Sequence, residues 1–510
     1  MLKEKLQNFL KKEFSEINFL LEYSSKGEFG DVYSTTPFLL AKKKKKNPQK
    51  IAKDLAKKIE KKSPSFLEKI EPKNGFLNFY FKKEYLVLSL KEVLKKKEKF
   101  FKKNLGKRKK TLLEFVSANP TSFLHIGNAR GAFFGDVLSR LLSFLNFDLK
   151  KEYFVNDGTF NTQIIELGKS ILGQSQAYSF DFLKKIKKKI SFRKKDPALL
   201  GHRASKLILQ EIKKFLKEGL KIKFDFYISE ENLFKKGDFQ KTLNFLKREK
   251  MVYEKDQALW ISLRPFGEED AVLLRKDKTP SYLLSDIAYH KNKIKRGFRF
   301  LIDIWGADHQ HHKKRMEKIF KILFPKIKLK ILISQLVSLK GKGKLSKRKG
   351  RVIWLEDLVN EVGLDACRWF FLSKSLDTPM EFDLDLAKEK SEKNPLFRAE
   401  YAWVRILGIE KKAQTKEIKM THSLSNLERE LILEVVKTKD LIRKLGENFE
   451  LNLLIEKIKK LTLLFHQFYE KFPVVEEGKV NSLRFEIILA LKVCFTLLFS
   501  FLGIKPPLKM

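Results

Sequence analysis

The 510-residue sequence predicts a multidomain α/β protein in which a parallel-sheet domain carrying an insertion stands between an α+β domain and an all-α helical bundle. Three observations predict this. Strand and helix patterns alternate from residue 111 to about 355, and beyond about 390 apolar residues recur three and four apart. The length also exceeds what one hydrophobic core serves, so three or four domains are expected.

Taken in order, residues 1–105 form the first domain. They open on the amphipathic "MLKEKLQNFLKKEF", pass through the glycine-punctuated "GEFGDVYST", resume as a basic helix near 48–62 and reach a strand in "GFLNFYF". The lysine-dense "KKKEKFFKKNLGKRKK" at about 95–110 reads as a linker or an RNA-facing helix, with a boundary near 105. The sheet domain spans 106–355. Its first strand, 112–116, is apolar apart from Glu114, and residues 132–145 repeat apolar side chains at helical spacing, so "ANPTSFLHIGNARG" at 118–131 is a strand-to-helix turn. A helical, less regular block at about 165–270 reads as inserted. Residues 300–305 form a later strand, 356–390 a connecting segment and 391–510 the helical bundle, and there is no repeat of solenoid period.

The 107 Lys and Arg against 62 Asp and Glu leave a formal charge of +45, which attracts polyanions, nucleic acid first among them. A lysine-rich coding bias would produce the same surplus, so charge alone favours RNA only modestly. The two cysteines, Cys367 and Cys494, lie far apart without a neighbouring thiol, which argues against a disulfide framework and a zinc site and for a reducing, cytoplasmic setting. No targeting signal is expected at the N-terminus. The longest apolar run, 493–504, is too short to span a bilayer and reads as a buried helix, so no membrane is expected.

The turn at 118–131 has a physical rationale. Small residues at a helix entry let backbone N–H groups and the helix dipole approach a phosphate, and Gly127 permits that approach. His125, and similarly Asn128, would donate to a phosphoryl oxygen whose charge grows during displacement. A second stretch, "GKGKLSKRKG" at 341–350, sets glycines around Lys344, Ser346 and Lys347 after the apolar residues 331–339. Such a loop can close on a triphosphate and supply ammonium charge to departing pyrophosphate. Either stretch alone would be ordinary surface; the pair in this order is not.

With these motifs the chain resembles the class I aminoacyl-tRNA synthetases, whose HIGH and KMSK signatures match His125-Ile126-Gly127-Asn128 and Lys344-Leu345-Ser346-Lys347. Among these it resembles the arginyl-tRNA synthetases, through 114–121, Gly131–Asp136, "KKEYFVNDGTFNTQI", "SYLLSDIAYH", "DIWGADHQHH" and "DACRWFFL". Asn128 departs from the usual second histidine, keeping a donor but no positive charge. Leu345 replaces methionine at similar volume, and Cys367 stands for leucine in Asp365-Ala366-Cys367-Arg368.

The resemblance implies a Rossmann-like catalytic domain, an N-terminal domain touching the tRNA elbow and a helical anticodon-binding domain. It implies two steps: L-arginine and ATP, accompanied by Mg²⁺, give arginyl-adenylate and pyrophosphate, and arginine then passes to the terminal adenosine of tRNA(Arg), in a monomer needing tRNA even for activation. Residues matching the family's arginine site are Glu114, Asn119, Tyr282, Asp286 and Gln310. Glu114, Asp286 and Tyr282 are assigned to the guanidinium, whose fork of donors demands carboxylates; Asn119 and Gln310 take the α-amino end, with Ser117 helping.

His309, His311 and His312 suggest a metal, but no cysteine or carboxylate cluster follows at ligand spacing, and no bound structural metal is expected. Asp308 or His309 instead suits adenosine contact at a sheet's carboxyl edge. Asp157 reads as turn or support. A cysteinyl-tRNA synthetase would need zinc-binding thiols that two scattered cysteines cannot provide. A non-catalytic RNA-binding relative would be expected to have lost a signature.

Overall fold

The computed structural model describes residues 2–24, 30–62, 64–178, 183, 186, 196–340, 352–413, 417–419 and 424–510. The first domain places α1 (Leu2–Glu13), α2 (Thr36–Lys44) and α3 (Pro48–Lys61) around an antiparallel sheet in the order β1-β2-β4-β3, formed by β1 (Leu21–Tyr23), β2 (Val32–Ser34), β3 (Leu67–Lys73) and β4 (Phe76–Phe81). Pro48 at the first turn and Asn47, whose side chain accepts from Gln49 and Lys50 N–H, start α3. After α4 (Lys83–Lys96), the lysine-dense stretch is neither a free linker nor one helix. A single 3₁₀ turn buries Phe100 and Phe101 edge to face, and Gly106 N–H donates 2.9 Å to Leu145. The aromatic pair anchors what charge composition presents as loose.

The central sheet is fully parallel, in the order β12-β11-β5-β6-β7. Its first two strands, β5 (Lys110–Glu114) and β6 (Asp148–Val155), are joined through the 19-residue α5 (Ile126–Phe144). There follow α6 (Thr162–Ile171), α7 (Pro197–Lys214), β7 (Phe226–Ser229), α8 (Glu230–Lys235) and α9 (Asp238–Arg248). The antiparallel β8 (Val252–Lys255), β9 (Ala258–Ile261) and β10 (Ala271–Leu274) then lead into α10 (Tyr282–Lys295). The block expected as an insertion at about 165–270 is therefore not wholly outside the sheet: β7 within it is the edge strand beside β6. Four half-buried residues without alternation give β7 no sequence signal.

The sheet is completed by β11 (Phe300–Gly306) and, after α11 (Gln310–Leu323), by β12 (Lys328–Ser334). Next, β13 (Val337–Lys340) pairs in parallel with β14 (Met380–Asp383), across α12 (Leu355–Val362) and α13 (Leu364–Leu372); α14 (Leu384–Lys388) follows. The C-terminal bundle comprises α15 (Pro395–Ala413), α16 (Asn426–Asn448), α17 (Asn452–Lys471) and α18 (Ser482–Leu502), with a small sheet of β15 (Glu417–Lys419), β16 (Val475–Glu476) and β17 (Lys479–Asn481). All but the last two residues of the apolar run at 493–504 belong to α18, a 21-residue helix with an 18-residue stretch of mean hydropathy 2.2, long and apolar enough to cross a bilayer; here α18 packs against α4, α5, α15 and α16 as the bundle's core helix.

Among the contacts that join the domains are the following. The Arg429 guanidinium donates to both Asp31 oxygens at 3.0 and 2.6 Å, tying the bundle to the first domain. The buried Arg368 donates to Asp136 Oδ2 in mid-α5 and to the Leu502 and Leu220 carbonyls at 2.8, 2.9 and 2.8 Å. At the far end of α5, Phe144 meets Phe501 edge to face, and Leu145 packs tightly on Gly446 of α16, where a Cβ would force its side chain to shift.

Candidate active site

At the carboxyl end of β5 the chain turns sharply, with positive φ at Val116 (67°) and Ser117 (36°), and a β-branched residue in that region is strained. The turn ends at His125, the N-cap of α5. Its Nδ1 accepts from Gly127 N–H at 3.1 Å, while its own N–H donates 3.0 Å to Asn128 Oδ1, closing a reciprocal cap. Because Nδ1 accepts, the neutral ring carries its proton on Nε2, and burial lowers the pKa, so the ring is a neutral donor. Asn128 spends its carbonyl oxygen on the cap and keeps its amide N–H groups. A Cβ on Gly127 would stand 2.8 Å from His125 Cε1, so only glycine leaves the folded-back ring in this position.

Lys344, Ser346 and Lys347 lie outside the described residues. Both flanks of their loop are placed. β13 ends at Lys340 against Asp383, and the chain returns beside the turn, where Ile126 N–H donates 3.1 Å to Ile353, Leu355 N–H donates 2.9 Å to Leu124, and Trp354 forms an antiparallel bridge with His125.

Beside this turn, Glu114 is 4% exposed and accepts from Ser117 Oγ at 2.9 Å and from Lys293 Nζ at 2.5 Å. Ser117 Oγ in turn accepts from Phe154 N–H at 3.1 Å, which holds the strained turn on β6. Asp286 Oδ2 lies 2.5 Å from His312 Nε2, and the His312 ring stacks on Trp305. Tyr282 is 52% exposed, its hydroxyl 3.3 Å from Thr162 Oγ1. The Asn119 amide donates 2.6 Å to Gln163 while its oxygen accepts from Asn156 at 2.7 Å.

Gln310 is exposed at the start of α11, and among the described residues no side-chain hydrogen bond joins it to Asn119. Asp308 and His309, also exposed, lie 3.4 Å apart on the preceding 3₁₀ turn. The neighbouring histidines are thus divided: His309 faces Asp308, His312 faces Asp286 and His311 is exposed. Asp157 is a support: its carboxylate accepts from Ser229 Oγ at 2.8 Å and Glu231 N–H at 3.1 Å, pinning β7 to the end of β6. Glu114 ends β5, and Ser117, Asn119, His125, Asp308 and Gln310 follow the carboxyl ends of parallel strands, where open α/β sheets bind ligands.

Four residues escaped the sequence reading. Lys293, His290 and Asp303 form a buried polar cluster, described below. Glu230, 1% exposed, accepts from Ser285 Oγ at 2.6 Å and lines a small cleft with Tyr282, Thr162 and Arg275; burial pushes its carboxyl up to about 7. One signal was available: Asp286, His290 and Lys293 stand at i, i+4 and i+7 on one face of α10.

Comparison with known proteins identifies the family. Residues 1–81 match the arginyl tRNA synthetase N terminal domain, 89–370 the catalytic domain of tRNA synthetases class I (R), and 399–510 the DALR anticodon binding domain. The arginine–tRNA ligase of Carboxydothermus hydrogenoformans is 35% identical, covering 97% of this chain and 95% of its own length. That of Aquifex aeolicus is 34% identical over the whole of both chains. The Thermus thermophilus and Plasmodium falciparum arginyl-tRNA synthetase structures superpose with TM-scores of 0.77 and 0.78 at 20% and 19% identity, covering all of this chain and 100% and 99% of theirs, and show the same fold. From its sequence relatives and the family domains along its length, the chain belongs to the arginyl-tRNA synthetase family of class I aminoacyl-tRNA synthetases.

Proposed function

We propose that the protein is an arginine–tRNA ligase in which the His125 turn and the 341–350 loop work on one ATP. The observation carrying this reading is the bridge between His125 and Trp354, which seats the first signature beside the exit of the loop bearing the second. The arginine carboxylate attacks the α-phosphorus and pyrophosphate leaves; a ribose hydroxyl of the tRNA's terminal adenosine then attacks the acyl carbon and AMP leaves. No protein nucleophile is required.

In this reading His125 Nε2–H, the Asn128 amide and the N-terminus of α5 face the phosphates, with Gly127 allowing close approach. Lys344 and Lys347 neutralise the departing pyrophosphate, with Ser346 as a neutral donor between them. Mg²⁺ enters with ATP as part of the substrate. Asp308 and His309 border the adenosine. Glu114, Asp286 and Tyr282 accept from the guanidinium, and Asn119 and Gln310, with Ser117, serve the other end of arginine. A site that must hydrogen-bond its substrate discriminates by about 10⁴–10⁵ without proofreading, so the 165–270 block needs no editing role. Residues 1–105 contact the tRNA elbow and 391–510 the anticodon, in a cytoplasmic monomer.

Arginine-dependent ATP–pyrophosphate exchange, with and without tRNA(Arg), tests the reading. Exchange that needs both arginine and tRNA supports it. Exchange driven equally by another amino acid, or none with any, overturns it.

A further inference from the structure

The most deeply buried charges near the site belong to no step above. Lys293 is 0% exposed, and its Nζ reaches Glu114 Oε2 at 2.5 Å, Asp303 Oδ1 at 2.8 Å and the Tyr289 ring face at 4.3 Å. The other Asp303 oxygen lies 2.6 Å from His290 Nε2, while His290 Nδ1 lies 2.7 Å from the carbonyl of Asp286. A carbonyl only accepts, and so does an ionised carboxylate, so both ring nitrogens donate and His290 is an imidazolium. Asp303 thus holds two cations, one gripping Glu114 and the other the backbone of Asp286.

The charges are consistent with this arrangement. Burial alone would raise the Asp303 pKa, but Lys293 and His290 hold it below the usual carboxylate range; burial alone would lower that of Lys293, but Asp303 and Glu114 raise it. Burial pushes the Glu114 carboxyl up, and Lys293, with a smaller share from His290, opposes that push. Buried ion networks contribute little net stability compared with apolar side chains of equal volume, so stability alone does not account for four charged groups here. Geometry offers another account. Glu114 ends β5 and Asp286 lies in α10, two elements that Lys293 and His290 on α10 and Asp303 on β11 join.

We propose that Asp303, acting through Lys293 and His290, is a positioning residue for arginine, setting Glu114 and Asp286 at the spacing at which they accept one guanidinium as a pair. This rests on the assignment of Glu114 and Asp286 to the arginine site. An ammonium substrate, lacking the fork, depends less on that spacing.

Asp303→Asn, nearly isosteric, tests it in ATP–pyrophosphate exchange with tRNA present. The arginine KM is expected to rise about 10- to 100-fold while the ATP KM stays within about twofold, since a 1 Å misplacement costs on that order. A fold-wide defect would instead lower kcat or move both KM values together, and that result overturns the proposal, as does an unchanged arginine KM. Should Asp303→Asn fail to fold, His290→Gln, which can bridge only one of its two partners, carries the same expectation. Glu114→Gln separates the two levels of inference. If it leaves the arginine KM unchanged, the pocket assignment fails; if it raises KM and Asp303→Asn does not, only the positioning role fails.

Discussion

Replacing Gly127 by alanine should separate catalysis from stability. Gly127 does not adopt positive φ, so its backbone accepts a side chain, and glycine-to-alanine in a helix gains about 0.8–1.0 kcal/mol. The new Cβ would lie 2.8 Å from His125 Cε1 and 2.9 Å from Nδ1, closer than real carbons approach, so the imidazole must swing away. Swinging away breaks the Gly127 N–H to Nδ1 hydrogen bond, a loss of about 0.5–1.5 kcal/mol. The two terms nearly cancel, leaving unfolding free energy within about 1 kcal/mol of wild type. The reaction has no such compensation. With the ring displaced, the proton on Nε2 is no longer aimed, and removing one preorganised donor lowers rates by about 10²–10³-fold. Gly127→Ala should therefore lose at least about tenfold in arginine-dependent exchange and no more than His125→Ala loses. Denaturant unfolding and exchange on the same preparation check both halves. A folded Gly127→Ala protein with full exchange activity would refute the placement of the imidazole.

Lys344→Ala or Lys347→Ala should lower kcat more than arginine affinity, because their charge matters most as pyrophosphate departs; a raised arginine KM at unchanged kcat contradicts that role. Arg368→Met leaves Asp136 buried without its inner partner and should cost about 3–5 kcal/mol in denaturant unfolding. Glu230 supplies a pH dependence. Its folded pKa, about 7, lies above the usual carboxyl value of 4.5, so the folded state holds the proton more tightly, and the stability this contributes is complete below 4.5 and lost as pH rises through 7. Glu230→Gln should flatten that fall, gaining up to about 3 kcal/mol over wild type at pH 8 relative to pH 4, and parallel unfolding curves at both pH values would disprove it.

What the sequence disclosed follows from range. The strand, turn and helix around His125 are legible because neighbouring residues write them: an apolar run, a string of small residues, then helical periodicity. The same holds for α16 and α17, with Ser425 and Glu428 closing a capping box that marks the start of α16. β7 is too short and too evenly half-buried to leave a pattern. Lys293 and Asp303 read separately as one more lysine in a lysine-rich chain and one charge in an apolar strand. Only the folded sheet shows that each is the other's partner across ten residues and that Glu114, 179 residues from Lys293, completes the set. The 95–110 stretch misled because its charges outnumber the two phenylalanines that anchor it.

Arg368 and its neighbours make α5 a tie-beam. One end carries the His125 turn, the middle is clamped at Asp136 about 15 Å away, and the other end, about 12 Å further on, lies against Phe501 and Gly446 of the C-terminal bundle. The same beam lies along β5, β6 and β11. The position of the imidazole is therefore set by three parts of the chain at once: the sheet beneath the helix, the Arg368 clamp and the bundle at its far end.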